Sequence, residues 1–326
     1  MLKKLKYFLW HKQQTETYSK IYICGVCMRK KIKLRQCFEQ KISEIIKQIQ
    51  QNQADTTHHL DTLFITALSE FSEKLDRLQE QTENSQNKYT ELLKQTNNLC
   101  RQSQLYFNEL NYADLLHDTI IQSSWLKEKS FSLFGWAANY SFIYTLYRIL
   151  DKLRPLNILE MGLGQTTRLT SQYITYNNLQ AKLIVCEHNA DWIDVYRKDL
   201  PNTNNLDIHH FDLEYFDYEE QQNDKYSGLL EYVKKQKFDL IIVDGPVGGN
   251  KNLPRSNILD LIRNDNLADN FVIIFDDAER TGEQKTISLT QNLLKEKAIN
   301  FTTYERCGIK RQHIITSTSY HFTRFL

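Results

Sequence analysis

The chain has 326 residues, which is enough for one large domain or two smaller ones. Charged residues make up 25% of it and the formal net charge is only +1, so composition gives no overall electrostatic attraction to nucleic acid. The six cysteines are scattered without a disulfide framework and no apolar run is long enough to span a membrane, which favours a cytoplasmic protein.

The first segment, residues 1–40, mixes basic side chains with apolar and aromatic ones. One interpretation is peripheral attachment to an anionic membrane surface, at the inner face of the membrane, and the alternative is a basic tail that docks on the protein's own body. Within it, KIYICGVCMRKKIKL alternates around Gly25 as a short hairpin does. Cys24 and Cys27 are more typical of apolar hairpin residues than of a zinc site, which needs four ligands.

The second segment, residues 41–103, contains no glycine or proline and is rich in Gln, Glu, Lys and Asn. From Phe64 to Leu99 a four–three spacing predicts a long helix or coiled coil whose stripe is polar in the middle. An earlier isoleucine stripe is out of register with it, so a break near residues 50–60 is expected. The segment is interpreted either as a stalk that joins copies of the chain or as a long helix lying on the rest of the protein.

The third segment, residues 104–326, holds most of the glycines and all of the prolines, which are the residues that make turns in a globular domain. An amphipathic helix from Tyr140 to Leu153 stops before Pro155 and leads into a strand at Asn157. Strands and helices then alternate, which predicts an α/β fold with a doubly wound, mostly parallel sheet.

Seven strands are predicted in this segment, and the last two are close enough in sequence to pair as an antiparallel C-terminal hairpin. Between the third and fourth strands, residues 213–236 are interpreted as an acidic, tyrosine-rich loop and a helix. The strands lie at residues 157–159, 181–186, 206–211, 238–243, 271–275, 300–306 and 313–322.

The stretch NILEMGLGQTTRLT, residues 157–170, indicates a buried strand, a tight glycine turn and the start of a helix. Gly162 and Gly164 let the backbone turn sharply and approach a ligand, and the free N–H groups of the helix N-terminus face the same ligand. The helix opens with Gln165, Thr166 and Thr167. A turn of this kind binds a nucleoside-bearing cofactor.

Every predicted strand of the parallel set ends in an acid, at the edge of the sheet where α/β proteins bind ligands. Capping of the following helices explains one or two of these acids, but hardly the whole set beside a glycine turn. The acids are Glu160, Glu187, Asp212, Asp244, Asp276 and Asp277.

Two cofactors compete for the glycine turn. A dinucleotide favours G-x-G-x-x-G, but the third position holds Thr167, and Glu160 would place a negative charge beside the pyrophosphate. The same charge suits S-adenosylmethionine, which carries a sulfonium and an ammonium and no phosphate. Glu187 can accept two hydrogen bonds from ribose hydroxyls in either case. Together with the closing hairpin, these features favour S-adenosylmethionine.

The motifs ILEMGLGQTT, VCEHN, FDLIIVDGP and FVIIFDD resemble the successive motifs of class I S-adenosylmethionine-dependent methyltransferases, over roughly residues 135–326. The resemblance implies a Rossmann-like sheet in which Glu187 holds the ribose and Asp212 approaches the adenine. Thr166 departs from the commonest family pattern, which has a third glycine there. The cofactor-binding residues that the resemblance implies are Glu160, Gly162, Gly164, Gln165, Thr166, Thr167, Glu187, His188 and Asp212.

The LEMGLGQTT turn, the VDGP loop and DDAER are also similar to O-methyltransferases that act on polysaccharides, and the N-terminal segment resembles leader segments of surface-glycan biosynthesis enzymes. This similarity implies transfer of a methyl group to a hydroxyl of a glycan or glycolipid precursor. The alternatives are a small-molecule or protein methyltransferase, and a non-enzymatic coiled-coil scaffold with an inactive methyltransferase fold.

A neutral sugar hydroxyl is a poor nucleophile, so its methylation needs a base or a metal that draws off the proton. Asp244, Asp276 and Asp277 end neighbouring strands about 4.8 Å apart. They can converge on Mg²⁺ or Mn²⁺, as in catechol-type O-methyltransferases, or supply a metal-free base.

Three further residues are candidates for binding the acceptor. Arg255 and Arg280 follow the acids and would bind a uronic acid or a phosphate, with surface arginines as the alternative. Trp136 would stack on a sugar ring or cover the cofactor, with core packing as the alternative.

Overall fold

The computed structural model describes residues 10–15, 18–23, 26–29, 39–47, 57–133, 135 and 137–326. The chain divides into two compact units after residue 92. No helix in the described ranges is both long enough and apolar enough to cross a membrane.

The first unit contains a small antiparallel sheet in the order β1–β2–β3. Its strands are β1 (Trp10–Thr15), β2 (Tyr18–Ile23) and β3 (Val26–Arg29). β2 and β3 pair antiparallel on either side of the expected turn. The turn residues Cys24 and Gly25 lie outside the described residues, as do the side chains on which the membrane interpretation of residues 1–40 depends.

A helix over residues 39–47, α1, is followed by α2 (Thr57–Ile121), which has 65 residues. The residues in which a break is predicted, 50–60, lie largely outside the described part of the chain. α2 passes through the predicted boundary at residue 103 because neither glycine nor proline interrupts the sequence until Gly135. Pairing of this helix as a coiled coil stays a prediction.

In the second unit, α3 (Tyr140–Leu153) has the predicted bounds. Its apolar face includes Phe142, Leu146 and Leu150, which are fully buried in one cluster with residues near the C-terminus of α2. Arg154 ends α3 in the left-handed conformation.

A seven-stranded sheet follows, in the spatial order β11–β12–β10–β9–β4–β5–β6. Its strands are β4 (Asn157–Met161), β5 (Lys182–Glu187), β6 (Leu206–His210), β9 (Phe238–Val243), β10 (Leu267–Phe275), β11 (Phe301–Cys307) and β12 (Arg311–Ser317). β12 runs antiparallel to both of its neighbours, and the other neighbouring pairs are parallel.

Helices connect the strands, and the sheet is buried on both faces. The helices are α4 (Gln165–Tyr176), α5 (Ala190–Arg197), α6 (Leu229–Val233), α7 (Asn257–Arg263) and α8 (Thr281–Glu296), and a 3₁₀ helix spans Thr318–Phe325. Side chains of β9 alternate between two apolar clusters, with Leu240 in one and Ile241 in the other. A parallel strand covered on both faces needs such a continuous apolar run.

Two sequence predictions need correction. The predicted loop in residues 213–236 is a hairpin of β7 (Leu213–Tyr218) and β8 (Gln221–Tyr226), which precedes α6. These two strands form a separate two-stranded sheet, and their side chains are mostly polar. The run predicted as a strand over 313–322 leaves the sheet at Ser317 and continues as the 3₁₀ helix.

The strand order places the switch point of the sheet between β4 and β9. From β4 the chain moves outward to β5 and β6 on one side, then returns to β9 on the other side. The connections therefore diverge at the carboxyl ends of β4 and β9, which is the place where open α/β sheets bind ligands in a crevice.

Candidate active site

The crevice is built on a close backbone approach between Gly162, after β4, and Gly245, after β9. Gly162 has φ +100°, and a Cβ there would lie 3.1 Å from Gly245 N. A Cβ on Gly245 would lie 2.8 Å from Gly162 Cα and would also clash with the Tyr226 hydroxyl. Both positions therefore require glycine. Gly245 was not among the predicted site residues, although its place next to Asp244, just after β9, was a usable signal.

Gly245→Ala is expected to lower the free energy of unfolding by about 1–3 kcal/mol, because the added methyl group overpacks against backbone that cannot move away cheaply. Gly164→Ala is the matched control in the same turn, since Gly164 has an extended backbone and open space around a built Cβ. Urea unfolding of both variants measures the difference. Equal losses of unfolding free energy in the two variants would contradict the close backbone approach between Gly162 and Gly245.

Glu160 is placed under the glycine turn rather than in it. Its side chain is fully buried, and its carboxylate accepts hydrogen bonds from the hydroxyls of Thr166 at 2.6 Å, Thr167 at 2.8 Å and Thr170 at 2.9 Å. The side chains of Glu160, Thr166 and Thr167 are therefore taken up by these contacts, and the prediction that these residues touch the cofactor stays a prediction. These side chains face inward and tie the turn to the first turn of α4.

Burial raises the pKa of Glu160 from 4.5 to about 7, although the three threonine hydroxyls lower it. Between pH 4.5 and about 7, the folded chain keeps a proton on Glu160 that the unfolded chain has lost. The contribution of this group to the free energy of unfolding therefore falls as the pH rises through that range.

We expect wild-type stability to fall relative to Glu160→Gln by up to about 3 kcal/mol as the pH rises from 4.5 to 7. Urea unfolding across this range measures the difference between the two proteins. Glu296→Gln, at an exposed position on α8, is the control, and its free energy of unfolding should change with pH in the same way as that of wild type. Parallel curves for Glu160→Gln would contradict the buried, proton-retaining carboxyl group.

Glu187, at the end of β5, lies beside the turn as predicted. Its Oε2 accepts from Leu163 N at 3.1 Å, and its Oε1 accepts from His188 N at 2.8 Å and from Asn189 N at 2.9 Å. Burial would raise the pKa of Glu187, but these hydrogen bonds and that of the His188 ring outweigh it and hold the pKa below its usual range. The result is a charged acceptor at the rim of the crevice.

The other predicted cofactor residues differ in exposure and in their contacts. His188 is partly exposed, and the hydrogen bond with Glu187 raises its pKa. Gln165 donates to the Tyr196 hydroxyl at 3.0 Å and accepts from Ser132 N at 3.2 Å, so its side chain is held by neighbouring segments. Asp212 is exposed, directly before the β7–β8 hairpin.

Asp244, Asp276 and Asp277 meet on the far side of the crevice, as the strand-end argument predicts. A carboxylate oxygen from each lies within 4.8 Å of the others. Asp244 N donates to Met161 O at 3.0 Å, which fixes this aspartate beside the glycine turn. Its side chain is 23% exposed, whereas those of Asp276 and Asp277 are buried.

Cations of the chain itself lie among the three acids. Arg255 Nη2 is 2.7 Å from Asp277 Oδ2 and 3.2 Å from Asp244 Oδ1. Lys310 Nζ is 3.4 Å from Asp276 Oδ2 and 3.5 Å from Asp277 Oδ1. Arg255 was predicted to bind the acceptor, but its side chain is 3% exposed and is bound to the acids, so that prediction is corrected. Trp136 lies outside the described residues.

The pKa values of the three acids diverge. Burial and the neighbouring Asp276 raise the pKa of Asp244 well above its ordinary range, against the effect of Arg255. Burial also raises the pKa of Asp276 despite Lys310. For Asp277, burial is outweighed by Arg255 and Lys310, and its pKa is lowered. A carboxylate of raised pKa that remains partly exposed is suited to take a proton.

A chain of buried hydrogen bonds supports Asp276 from behind. Gln312 Nε2 donates to Asp276 Oδ1 at 2.7 Å and to Asn139 Oδ1 at 2.8 Å. Asn139 Nδ2 donates to Glu109 Oε2 of α2 at 2.7 Å. Sequence analysis missed Gln312 and Lys310, because they belong to the last hairpin and no local motif links them to the aspartates.

The residues present do not fit a divalent cation among Asp244, Asp276 and Asp277. Arg255 lies between two of these carboxylates, and Lys310 contacts the third. An arginine side chain cannot give up its charge in a protein, so a metal ion there would face a buried positive charge.

No protein-family model and no curated protein matches the chain. Among solved structures, it is similar to the O-methyltransferase from Bacillus cereus in complex with SAH, at 13% identity and a TM-score of 0.41, over 64% of this chain and 90% of that one. It is also similar to the O-methyltransferase TomG from Streptomyces achromogenes, at 13% identity and a TM-score of 0.38, over 65% and 89%. At such low scores the activity of this chain must be argued from its own residues.

Proposed function

We propose that the chain is an S-adenosylmethionine-dependent methyltransferase that acts on a hydroxyl oxygen. The observation that carries the proposal is the place of Asp244. Its partly exposed carboxylate lies at the switch point of the sheet, directly beside the glycine turn. A ligand-binding turn and a candidate base therefore share one crevice.

The turn supports S-adenosylmethionine over a dinucleotide. Thr167 fills the third position of the dinucleotide fingerprint, and its hydroxyl binds the carboxyl group of Glu160 below the turn. The pKa of about 7 leaves Glu160 partly charged near neutral pH, which disfavours a pyrophosphate above it and favours a cationic ligand. Glu187 Oε2 has acceptor capacity beyond its bond from Leu163 N, which suits ribose hydroxyls.

The chemistry requires alignment and removal of one proton. When bound, S-adenosylmethionine supplies an electrophilic methyl group on its sulfonium. Asp244 accepts a hydrogen bond from the acceptor hydroxyl and orients its oxygen. It would take the hydroxyl proton as the new C–O bond forms and the methyl–sulfur bond breaks, with S-adenosylhomocysteine as the leaving group. Arg255 holds the other side of this carboxylate at 3.2 Å. No step requires a metal.

Two variants separate the binding and reacting halves of the site. Glu187→Gln is expected to weaken S-adenosylmethionine binding by about tenfold, because a charge-assisted acceptor is lost. Asp244→Asn is expected to keep the affinity and abolish turnover, because an amide cannot take the proton. Calorimetric titration and release of S-adenosylhomocysteine measure the two effects, and each variant is the other's control. Full turnover by Asp244→Asn would remove it from the mechanism.

We further propose a hydroxyl of a glycan or glycolipid precursor in surface polysaccharide biosynthesis as the acceptor. The support is the motif similarity together with Arg280, whose side chain is 41% exposed and lies 2.9 Å from Asp277. An anionic sugar could therefore meet a cation at the edge of the acid cluster. Methylation of uronic-acid oligosaccharides, but not of neutral ones, with loss of that preference in Arg280→Ala, would support this acceptor. Transfer to small molecules or to protein alone would replace it.

The N-terminal segments receive two proposals of their own. Residues 41–103 join copies of the chain, supported by the exposed stripe that includes Tyr89, Leu92 and Leu99 of α2. Residues 1–40 contact an anionic membrane surface at its inner face, supported by their basic and aromatic composition. Light scattering and sedimentation with anionic or neutral vesicles test them. A monomeric protein that sediments with neither vesicle type would contradict both proposals.

A further inference from the structure

Arg255 is held at the centre of the acid cluster by contacts from three directions. Its Nη2 is 2.7 Å from Asp277 and 3.2 Å from Asp244, and its Nη1 donates to the backbone oxygen of Asp276 at 2.7 Å. One guanidinium therefore joins the carboxyl ends of β9 and β10. Its flat, fixed set of donors matches carboxylate and carbonyl oxygens that approach in different directions.

The backbone shows the same constraint. Arg255 has φ +57° and Asp277 has φ +54°, which is the left-handed backbone region that residues other than glycine seldom adopt. Two such residues facing each other persist only where their surroundings hold them. The ion pair between them, in which both side chains are almost fully buried, supplies that restraint.

The charges in the cluster come close to balance without an added ion. Asp244, Asp276 and Asp277 face Arg255 and Lys310, and Arg280 lies between Asp277 and the buried Glu283, which gives four acids and three cations. Buried charges are tolerated when each one has a partner, and these pairs meet that condition. A divalent cation would add two charges to a group that the chain has already compensated.

We infer that Arg255 is a built-in cation, which takes the position at which these three aspartates would otherwise bind a divalent metal. The site then needs no metal ion, and Arg255 acts as the positioning residue for Asp244. This second part rests on the proposed methyl transfer, whereas the first concerns the cluster alone. The contact with Arg255 is made by Asp244 Oδ1, and Oδ2 is the oxygen that we assign to the acceptor proton.

The test is Mn²⁺ binding by the full chain, followed by electron paramagnetic resonance and calorimetry near neutral pH. We expect wild type and Asp277→Asn to bind Mn²⁺ equally weakly, so that no bound Mn²⁺ depends on the acid cluster. Arg255→Met, which keeps much of the volume and loses the charge, is expected to bind Mn²⁺ at least about tenfold more tightly than wild type, because the buried repelling charge is gone. Arg255→Lys is the matched control and should show no gain.

Two outcomes would overturn the inference. One is stoichiometric Mn²⁺ binding by wild type that Asp277→Asn abolishes. The other is a folded Arg255→Met protein with no gain in Mn²⁺ binding. If Arg255→Met fails to fold, the comparison of wild type with Asp277→Asn still decides.

These readouts need no methyl donor, so they separate this inference from the proposed function. Failure of S-adenosylmethionine to bind would leave the assignment of Arg255 as a cation intact. Methyl transfer by wild type that persists unchanged in the presence of EDTA is the additional result expected if both hold.

Discussion

The buried ion pairs of Arg255 are the contacts on which the arrangement of Asp244, Asp276 and Asp277 depends. They fix the ends of β9 and β10 relative to each other, and Lys310 fastens the last hairpin to the same acids. Removing charged groups from water is costly, and removing one partner of a buried pair typically costs about 3–5 kcal/mol because a charge is left uncompensated. This cost is the basis for the inference that Arg255 positions Asp244, whose Oδ1 lies 3.2 Å from Arg255 Nη2.

The opposite side of the crevice depends on a backbone contact rather than on charge. Gly162 and Gly245 approach so closely that neither has room for a Cβ, and this brings the turn after β4 against the end of β9. Glu160 anchors that turn from below through threonine hydroxyls, while Glu187 contacts it from the side through Leu163 N. In the proposed function, the side with the glycine turn binds the ligand and the side with Asp244 takes the proton.

Sequence was sufficient where a pattern is long and its physical cause is local. β9 and α3 have the predicted bounds because a continuous apolar strand and an amphipathic helix that stops before Pro155 leave few alternatives. The convergence of Asp244, Asp276 and Asp277 followed from strand ends meeting at one edge. The polar hairpin β7–β8 had no such pattern and was missed.

Sequence was insufficient where the direction of a side chain decides the role. An acid at the end of a strand can face a ligand or turn under the loop, and Glu160 does the second because three threonines of α4 satisfy its carboxyl group. Arg255 follows Asp244 in a loop, where an exposed arginine is common, yet it is buried among the three acids. The contact of Lys310 with Asp276 spans more than thirty residues, and no motif encodes it.

The central claim is that this crevice binds S-adenosylmethionine, and calorimetric titration of the full chain with that compound, with NAD as the comparison ligand, tests it most directly. The account predicts saturable binding of S-adenosylmethionine with one site per chain and no binding of NAD. Binding of NAD, or of neither compound by a folded sample, would contradict it.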